Sequence, residues 1–296
     1  MSAFGLLNIA KPAGLTSRKV VDRVAKLVRP AKAGHAGTLD PLATGVLVVC
    51  VGPATRLMTY VQQQPKTYEA CFLLGRRSET DDIEGEVVEV PCRAIDRAEI
   101  ESQLPAFVGR IEQVPPRFSA VHVDGQRAYD RARRGEEIEL APRPVDVYSI
   151  ELLDCAWPEL RLRIECGSGT YIRSIGRDLG ERLGCGAVMS ALVRTAIGPF
   201  RIEEAVEFDA LDADTLARSL QPALTAVAHL PRLTANEGEL AALGHGRAIA
   251  RSDLPAMAGD AAVEVAVVDS QGCLAALAEP RPALSQLAPK HVFIGK

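Results

Sequence analysis

Gly34-His35-Ala36-Gly37-Thr38-Leu39-Asp40-Pro41-Leu42-Ala43-Thr44-Gly45 runs without a break into Val46-Leu47-Val48-Val49-Cys50-Val51. The second half is apolar, rich in β-branched residues and closed by Gly52-Pro53, the pattern of a buried strand. The first half, with its glycines and Pro41, is an irregular loop feeding that strand. Loops held by a rigid sheet are where catalytic groups concentrate. Asp40 is the loop's one carboxylate. A carboxylate near a core needs a partner, and two readings are open: a turn Asp stabilising the bend before Pro41, or a reactive group.

Working outward, two glycine-loop alternatives fail. No Lys follows a glycine at P-loop spacing, and Gly167-Ser168-Gly169 is followed by Ile172 where a dinucleotide fingerprint needs its third glycine. The chain has 296 residues, 47% hydrophobic and 24% charged, which suits one large domain or two and carries no signature of disorder. A net charge of −4 does not announce a nucleic-acid partner. Local windows do. Lys11, Arg18, Lys19, Arg23, Lys26, Arg29 and Lys32 stand against Asp22 alone, and six arginines between Arg110 and Arg134 stand against Glu112, Asp124 and Asp130. Such patches can supply phosphate contacts, or they are solvated helix faces. Seven scattered cysteines without Cys-x-x-Cys argue against zinc and against a disulfide framework. The start lacks a signal peptide, and no run approaches the roughly 20 apolar residues of a membrane span. The expected location is the cytoplasm.

In chain order, Gly5 to Ala10 reads as a strand. Thr16 or Ser17 caps a helix to about Val28, with Val20, Val21, Val24, Leu27 and Val28 on one face, and Pro30 stops it. Ala54 to Val61 reads as a short helix. Thr67 to Leu74 alternates as a strand, with Tyr68, Ala70, Phe72 and Leu74 on one side; alone, Tyr68 is a core or interface aromatic. Glu79 to Gly85 reads as a solvated acidic turn, because its spacing fits no calcium loop. Asp96 and Glu99 suit a capping box. After Val114-Pro115-Pro116-Arg117-Phe118-Ser119 comes an expected helix, Gly125 to Arg134, bearing Arg127, Arg131, Arg133 and Arg134. Strands follow near Val145 to Leu153 and Leu160 to Cys166, then a helix from about Thr170 to Leu183. Arg173 sits at its start, where the helix dipole makes a cation unwelcome unless a carboxylate faces it. A helical pattern begins at Asp209, a boundary falls near Leu230-Pro231, and the remainder holds a helix (Glu237 to Leu243) and strand-like runs, Val263 to Val268 and Leu274 to Ala278.

His35 to Gly45 resembles the signature of the TruB-type tRNA pseudouridine synthases. So do, in the family's order, Lys11-Pro12, Lys66-x-Tyr68 with Leu74-Gly75, and Gly169-Thr170-Tyr171-Ile172-Arg173. The resemblance spans most of residues 5 to 200. It implies an α+β pseudouridine-synthase fold, with a mixed, largely antiparallel central sheet flanked by helices. A weaker likeness, including Pro289-Lys290-His291-Val292-Phe293, implies a small β-rich PUA-like C-terminal domain. The domains would be 1–229 and 230–296, with an RNA-clamping insertion at about 112–142.

The implied activity is isomerisation of uridine to pseudouridine at tRNA position 55, in the T-loop. Asp40 would be the reactive carboxylate, Arg173 its partner and Tyr68 the aromatic stacked on the target base. Lys11 would contact the RNA backbone or hold the signature loop, His35 would aid the flip of the base, and Tyr171 and Leu192 would line the uridine pocket. Arg117, Arg127, Arg131, Arg133 and Arg134 are candidate RNA contacts. The reaction moves no electrons and no phosphoryl group, so neither cofactor nor metal is expected. The expected partner is the tRNA T-arm stem-loop, with no membrane and no obligatory protein partner. The alternatives are a non-catalytic RNA-binding or tRNA-folding protein on the same fold, and an RNA-guided synthase working in a protein complex.

Overall fold

Strands whose side chains are buried on both faces build the centre of the molecule, and they explain the unbroken apolar run at 46–51. The computed structural model describes residues 4–119, 122–123, 126–127, 134, 140–251 and 263–294. Its strands are, in order, β1 (Gly5–Lys11), β2 (Ala33–His35), β3 (Thr44–Val51), β4 (Lys66–Leu74), β5 (Arg76–Arg77), β6 (Val88–Glu89), β7 (Gly109–Gln113), β8 (His122–Val123), β9 (Gln126–Arg127) and β10 (Arg143–Ala156). β11 (Glu159–Cys166), β12 (Ala187–Ile197), β13 (Phe200–Arg201) and β14 (Val206–Glu207) complete the first part. β15 (Arg232–Thr234), β16 (Ile249–Ala250), β17 (Val265–Val268), β18 (Leu274–Arg281) and β19 (Gln286–Val292) follow. The described helices are α1 (Ser17–Leu27), α2 (Met58–Gln63), α3 (Arg97–Gln103), α4 (Ile172–Arg182), α5 (Ala213–Ser219) and α6 (Glu237–Gly244).

The large sheet runs β14–β1–β3–β12–β4–β11–β10–β7, with β2 added to β3 and β13 to β12. Only the β1–β14 and β3–β12 joints are parallel. The fold is therefore α+β, with a mixed and largely antiparallel sheet. On β1 and β3, Leu7, Ile9, Leu47, Val49 and Val51 pack with Val20, Val21 and Val24 of α1. Leu6, Val46, Val48 and Cys50 point the other way, into a layer shared with Leu57 and Val61. Burial on both faces removes the usual polar alternation.

The β3–β12 joint, Thr44↔Val193 and Gly45↔Arg194, unites the two halves of the sheet, and the Asp40 loop leaves from it. Gly45 has φ +100°, and a Cβ there would stand 2.3 Å from the Arg194 carbonyl oxygen, so only glycine permits the approach. On the other half of the sheet, Tyr68, Ala70, Phe72, Leu160, Leu162, Ile164, Met189 and Leu192 meet Ile172, Ile175 and Leu179 of α4. Gly176 lets Phe72 lie against the helix, since a Cβ would come within 2.2 Å of its ring.

The C-terminal sheet, β15–β17–β18–β19–β16, is built from residues 232–292 and has its own core around Leu233, Leu243, Val265, Val267 and Leu287. Ala266, Leu274 and Leu277 join the layer beneath β1 and β3, and Phe4 stacks on Phe293 at 5.8 Å.

Some expectations shift. The segment expected as one helix from Ala54 is a 3-10 turn, Gly52–Leu57, leading into α2. Gln126–Arg127 forms β9 of a hairpin with β8, where a helix was expected; Arg134 lies in a turn, and the rest of that expected helix falls outside the described residues.

Candidate active site

The Asp40 loop is held from both sides by hydrogen bonds that leave its carboxylate out of the packing. Ser17, at the start of α1, donates its hydroxyl to the Leu39 carbonyl at 3.0 Å and accepts the Leu39 N–H at 2.9 Å. Gly14 N–H donates to the Pro41 carbonyl at 2.8 Å, and Ala43 N–H to the Asp40 carbonyl at 3.1 Å. Arg194, 1% exposed, donates to the carbonyls of Val46, Thr38 and Gly37 at 2.8, 3.4 and 3.1 Å. Leu39 and Ala43 are buried, while the Asp40 side chain keeps 40% of its surface. The loop thus offers an anion at the rim of a rigid apolar floor.

Arg173 meets it. Its side chain is 6% exposed, and Nη2 lies 3.0 Å from Asp40 Oδ2. Nη1 lies 3.3 Å from Asp82 Oδ2, and the guanidinium also donates to the carbonyls of Thr80 at 2.8 Å and Phe118 at 3.0 Å. Asp82 is itself buried, accepting from the Thr80 hydroxyl at 2.6 Å and the Glu84 N–H at 3.0 Å. One turn further along α4, Arg177 pairs with Asp81 at 3.0 Å and Asp178 at 2.8 Å. Burial pushes the Asp81 carboxyl up to about 6, against the pull of Arg177 and Arg173. A guanidinium locked by two carboxylates and two carbonyls is a fixed counter-charge, which desolvation makes stronger than a surface one.

Lys11 had two readings, RNA contact or loop support. Its side chain is buried, and Nζ donates to the carbonyls of Pro12, Leu15 and Pro41 at 2.9, 2.7 and 3.4 Å, so its hydrogens already hold the loop. Burial pulls it down to about 8, against the favourable fields of Asp40 and Glu84.

Tyr68 on β4 is 8% exposed and packs with Leu39, Ala43 and Leu192. Burial raises its hydroxyl pKa, opposed by the neighbouring Arg194. Tyr171 stands at the N-cap position of α4 and is half-buried, within the fields of Arg173 and Asp40. These groups converge on Asp40.

The family models fall on the same elements. One for the TruB family pseudouridylate synthase N-terminal domain matches residues 25–172, and one for the tRNA pseudouridylate synthase B C-terminal domain matches residues 173–228. The chain belongs to the TruB family. The tRNA pseudouridine synthase B of Thermobifida fusca is 44% identical over 99% of both chains. That of Dehalococcoides mccartyi (strain ATCC BAA-2266 / KCTC 15142 / 195) is 46% identical over 82% of each. Among solved structures, an H/ACA RNP bound to a substrate RNA containing 2′-deoxyuridine has a chain 28% identical to this one. It matches with a TM-score of 0.74 over 99% of this chain and 86% of its own. A Cbf5-Nop10-Gar1 complex matches at 0.72 with 28% identity, over 99% of this chain and 84% of the other.

Of the other residues singled out from the TruB resemblance, some have no recorded contact with Asp40 and some lie outside the described residues. His35, on β2, is half-buried beside Arg194 and Arg18, and its Nδ1 is buried without a hydrogen-bond partner. Burial, then those two cations, lower its pKa. Arg117 and Arg134 are exposed, Arg127 lies on β9, and Arg131 and Arg133 are outside the described residues. Sequence reading missed Asp81, Asp82 and Arg194. The acidic run 79–85 looked solvated, yet Asp82 is 3% exposed, because Arg173 of α4 lies against it while Arg177 pairs with its neighbour Asp81. Arg194 carried one usable signal, a long cation on a strand whose neighbours are apolar.

Proposed function

We propose that this chain converts uridine to pseudouridine in tRNA, at position 55 of the T-loop. The observation that carries the reading is the pairing of Asp40 with the buried Arg173, in a chain that is 44% identical along its length to a tRNA pseudouridine synthase B. Isomerisation breaks the bond between ribose C1′ and uracil N1, makes a bond from C1′ to C5, releases the C5 proton and puts a proton on N1, so that atoms balance. A carboxylate is the group this chemistry needs, and Asp40 supplies it. Arg173, 3.0 Å away, gives that carboxylate a fixed counter-charge and aims it. No electron or phosphoryl transfer occurs, so the reaction calls for no redox cofactor and no metal.

The uracil leaves the T-loop stack to reach Asp40, at a few kcal/mol for unstacking. Tyr68 takes the base against its ring, with stacking worth about 1–3 kcal/mol; Leu192 and Tyr171 line the pocket, and His35 aids the flip. Lys11 serves by fixing the Asp40 loop. Arg117, Arg127, Arg131, Arg133 and Arg134 contact RNA phosphates from an insertion at about 112–142. Residues 1–229 form the catalytic domain, and 230–296 a PUA-like domain that adds RNA contacts. The enzyme works in the cytoplasm on the T-arm without an obligatory protein partner.

The test is tritium release from C5-labelled uridine in an unmodified tRNA, by wild type and Asp40→Asn. Release at the T-loop uridine by wild type alone is the expected result. Tight tRNA binding without release by wild type would overturn the enzyme reading in favour of a folding clamp. Equal release by both proteins would remove Asp40 from the chemistry.

A further inference from the structure

The first turns of α4, which carry Tyr171 and Arg173, are docked on a short segment that follows β7. Arg173 Nη2 donates to the Phe118 carbonyl at 3.0 Å. Ser174 Oγ and Arg177 Nη2 both donate to the Val114 carbonyl, at 2.9 and 2.8 Å. On the 113–118 side these acceptors are backbone, so no substitution removes them cleanly. Gln113 is different. Its side chain accepts from Tyr171 N–H at 2.8 Å and donates to the Tyr171 carbonyl at 3.1 Å, clasping both backbone groups of one residue. Tyr171 is the N-cap of α4 and has no capping side chain of its own. Gln113 is 2% exposed, on the edge strand of the large sheet, so the clasp ties the helix start to a rigid support.

We propose that Gln113 is a positioning residue for the isomerisation. Its carboxamide fixes the N-terminus of α4, and through it the Arg173 guanidinium that meets Asp40. The inference rests on the proposed function above. The geometric reason is reach. Arg173 lies two residues after Tyr171, and its contacts with Asp40 and Asp82 are hydrogen-bond length, so a shift of the first turn separates them. Displacements near an ångström in a catalytic array lower rates by up to about a hundredfold.

Gln113→Glu is close to isosteric and separates the two halves of the clasp. The carboxylate still accepts the Tyr171 N–H but faces the Tyr171 carbonyl as an anion, whereas the protonated carboxyl can donate to it. Single-turnover rates and tRNA affinity of the full chain are to be measured from pH 5 to pH 8, with Gln113→Ala alongside. Hydrogen exchange at the Tyr171 amide gives a readout independent of activity. The expected result for Gln113→Glu is a rate roughly tenfold below wild type at pH 8. The ratio to wild type recovers as pH falls, and tRNA affinity stays within about twofold. Tyr171 exchange rises in Gln113→Ala and less in Gln113→Glu. An active wild type whose variants keep its rate at every pH, or whose Tyr171 exchange is unchanged, overturns this inference and leaves the proposed function standing. A rate loss without pH recovery, matched by a loss of affinity, makes Gln113 merely structural and also overturns it. A wild type without activity overturns the proposed function and this inference with it.

Discussion

Two arginine–carboxylate networks in this molecule have nearly the same distances and opposite settings. Arg173 stands 3.0 Å from Asp40 and 3.3 Å from Asp82, with its side chain 6% exposed. Arg163, on the open face of β11, stands 3.0 Å from Glu69 and 2.8 Å from Glu151, with its side chain 45% exposed. A list of ion pairs would rank them together. Water separates them: the Arg163 charges remain solvated, so forming the pairs exchanges one set of good interactions for another. Arg173 and Asp82 are desolvated, and each depends on the other being present, while Asp40 meets them from the solvent-facing side. Burial, more than distance, decides which network is tied to the fold and to the chemistry.

The comparison is tested hardest by removing the buried cation. Arg173→Met leaves Asp82 enclosed with hydrogen-bond donors but no counter-charge. Breaking one side of a buried pair costs about 3–5 kcal/mol, and that is the stability loss expected from denaturant titration, together with loss of tritium release. Arg173→Lys keeps the charge but cannot span two carboxylates and two carbonyls, so it should recover more stability than activity. If Arg173→Met folds with wild-type stability, the buried network is not the stronger one.

The next effect is a pH dependence at the edge of the same network. Burial holds the Asp81 carboxyl at about 6, above its usual 3.8. The folded chain therefore takes up this proton before the unfolded chain does as pH falls from about 6 to about 4. The group's contribution to stability is fully present below about 3.8 and is lost as pH rises through about 6. A shift of that size corresponds to no more than about 3 kcal/mol across the window. Asp81→Asn should remove this component, seen as a different slope of unfolding free energy against pH relative to wild type. Parallel slopes would mean that Arg177 compensates the desolvation fully.

Much of this network was hidden in the sequence, for reasons that follow from its physics. The loop and strand at 34–51 were legible because glycine, proline and an unbroken apolar run are local signals, and the strand at 66–74 because alternation is local too. Arg173 drew attention because a cation at a helix start needs an explanation, and its pairing with Asp40 came from the TruB resemblance. The enclosure of Asp81 and Asp82 had no local signature: the seven charged or polar residues from Arg76 to Asp82 look solvated until α4, about ninety residues later, is laid over them. Asp81 even adopts φ +59°, a left-handed turn that a short polar side chain tolerates, so its backbone fits the loop reading while its side chain does not. Arg194 and Gln113 were missed for a related reason. Their partners are backbone carbonyls and amides, which every sequence supplies equally.

The smallest expected effect belongs to the exposed network, and it sharpens the contrast most cleanly because nothing else changes. Arg163 joins three strands on paper, reaching Glu69 on β4 and Glu151 on β10 from β11, while Arg161 adds a looser contact with Glu69 at 3.8 Å. Three factors act against it. Water screens each charge, ordering a long side chain costs entropy, and Arg161 remains beside Glu69 when Arg163 is removed. The backbone ladder between β11 and its neighbours needs none of these side chains. Arg163→Ala should therefore melt within the scatter of replicate wild-type scans, release tritium at the wild-type rate, and lose any residual difference as salt is raised, since screening weakens what little attraction survives in water. A destabilisation comparable to that of Arg173→Met, persisting at high salt, would show that solvent exposure is the wrong way to rank these two networks.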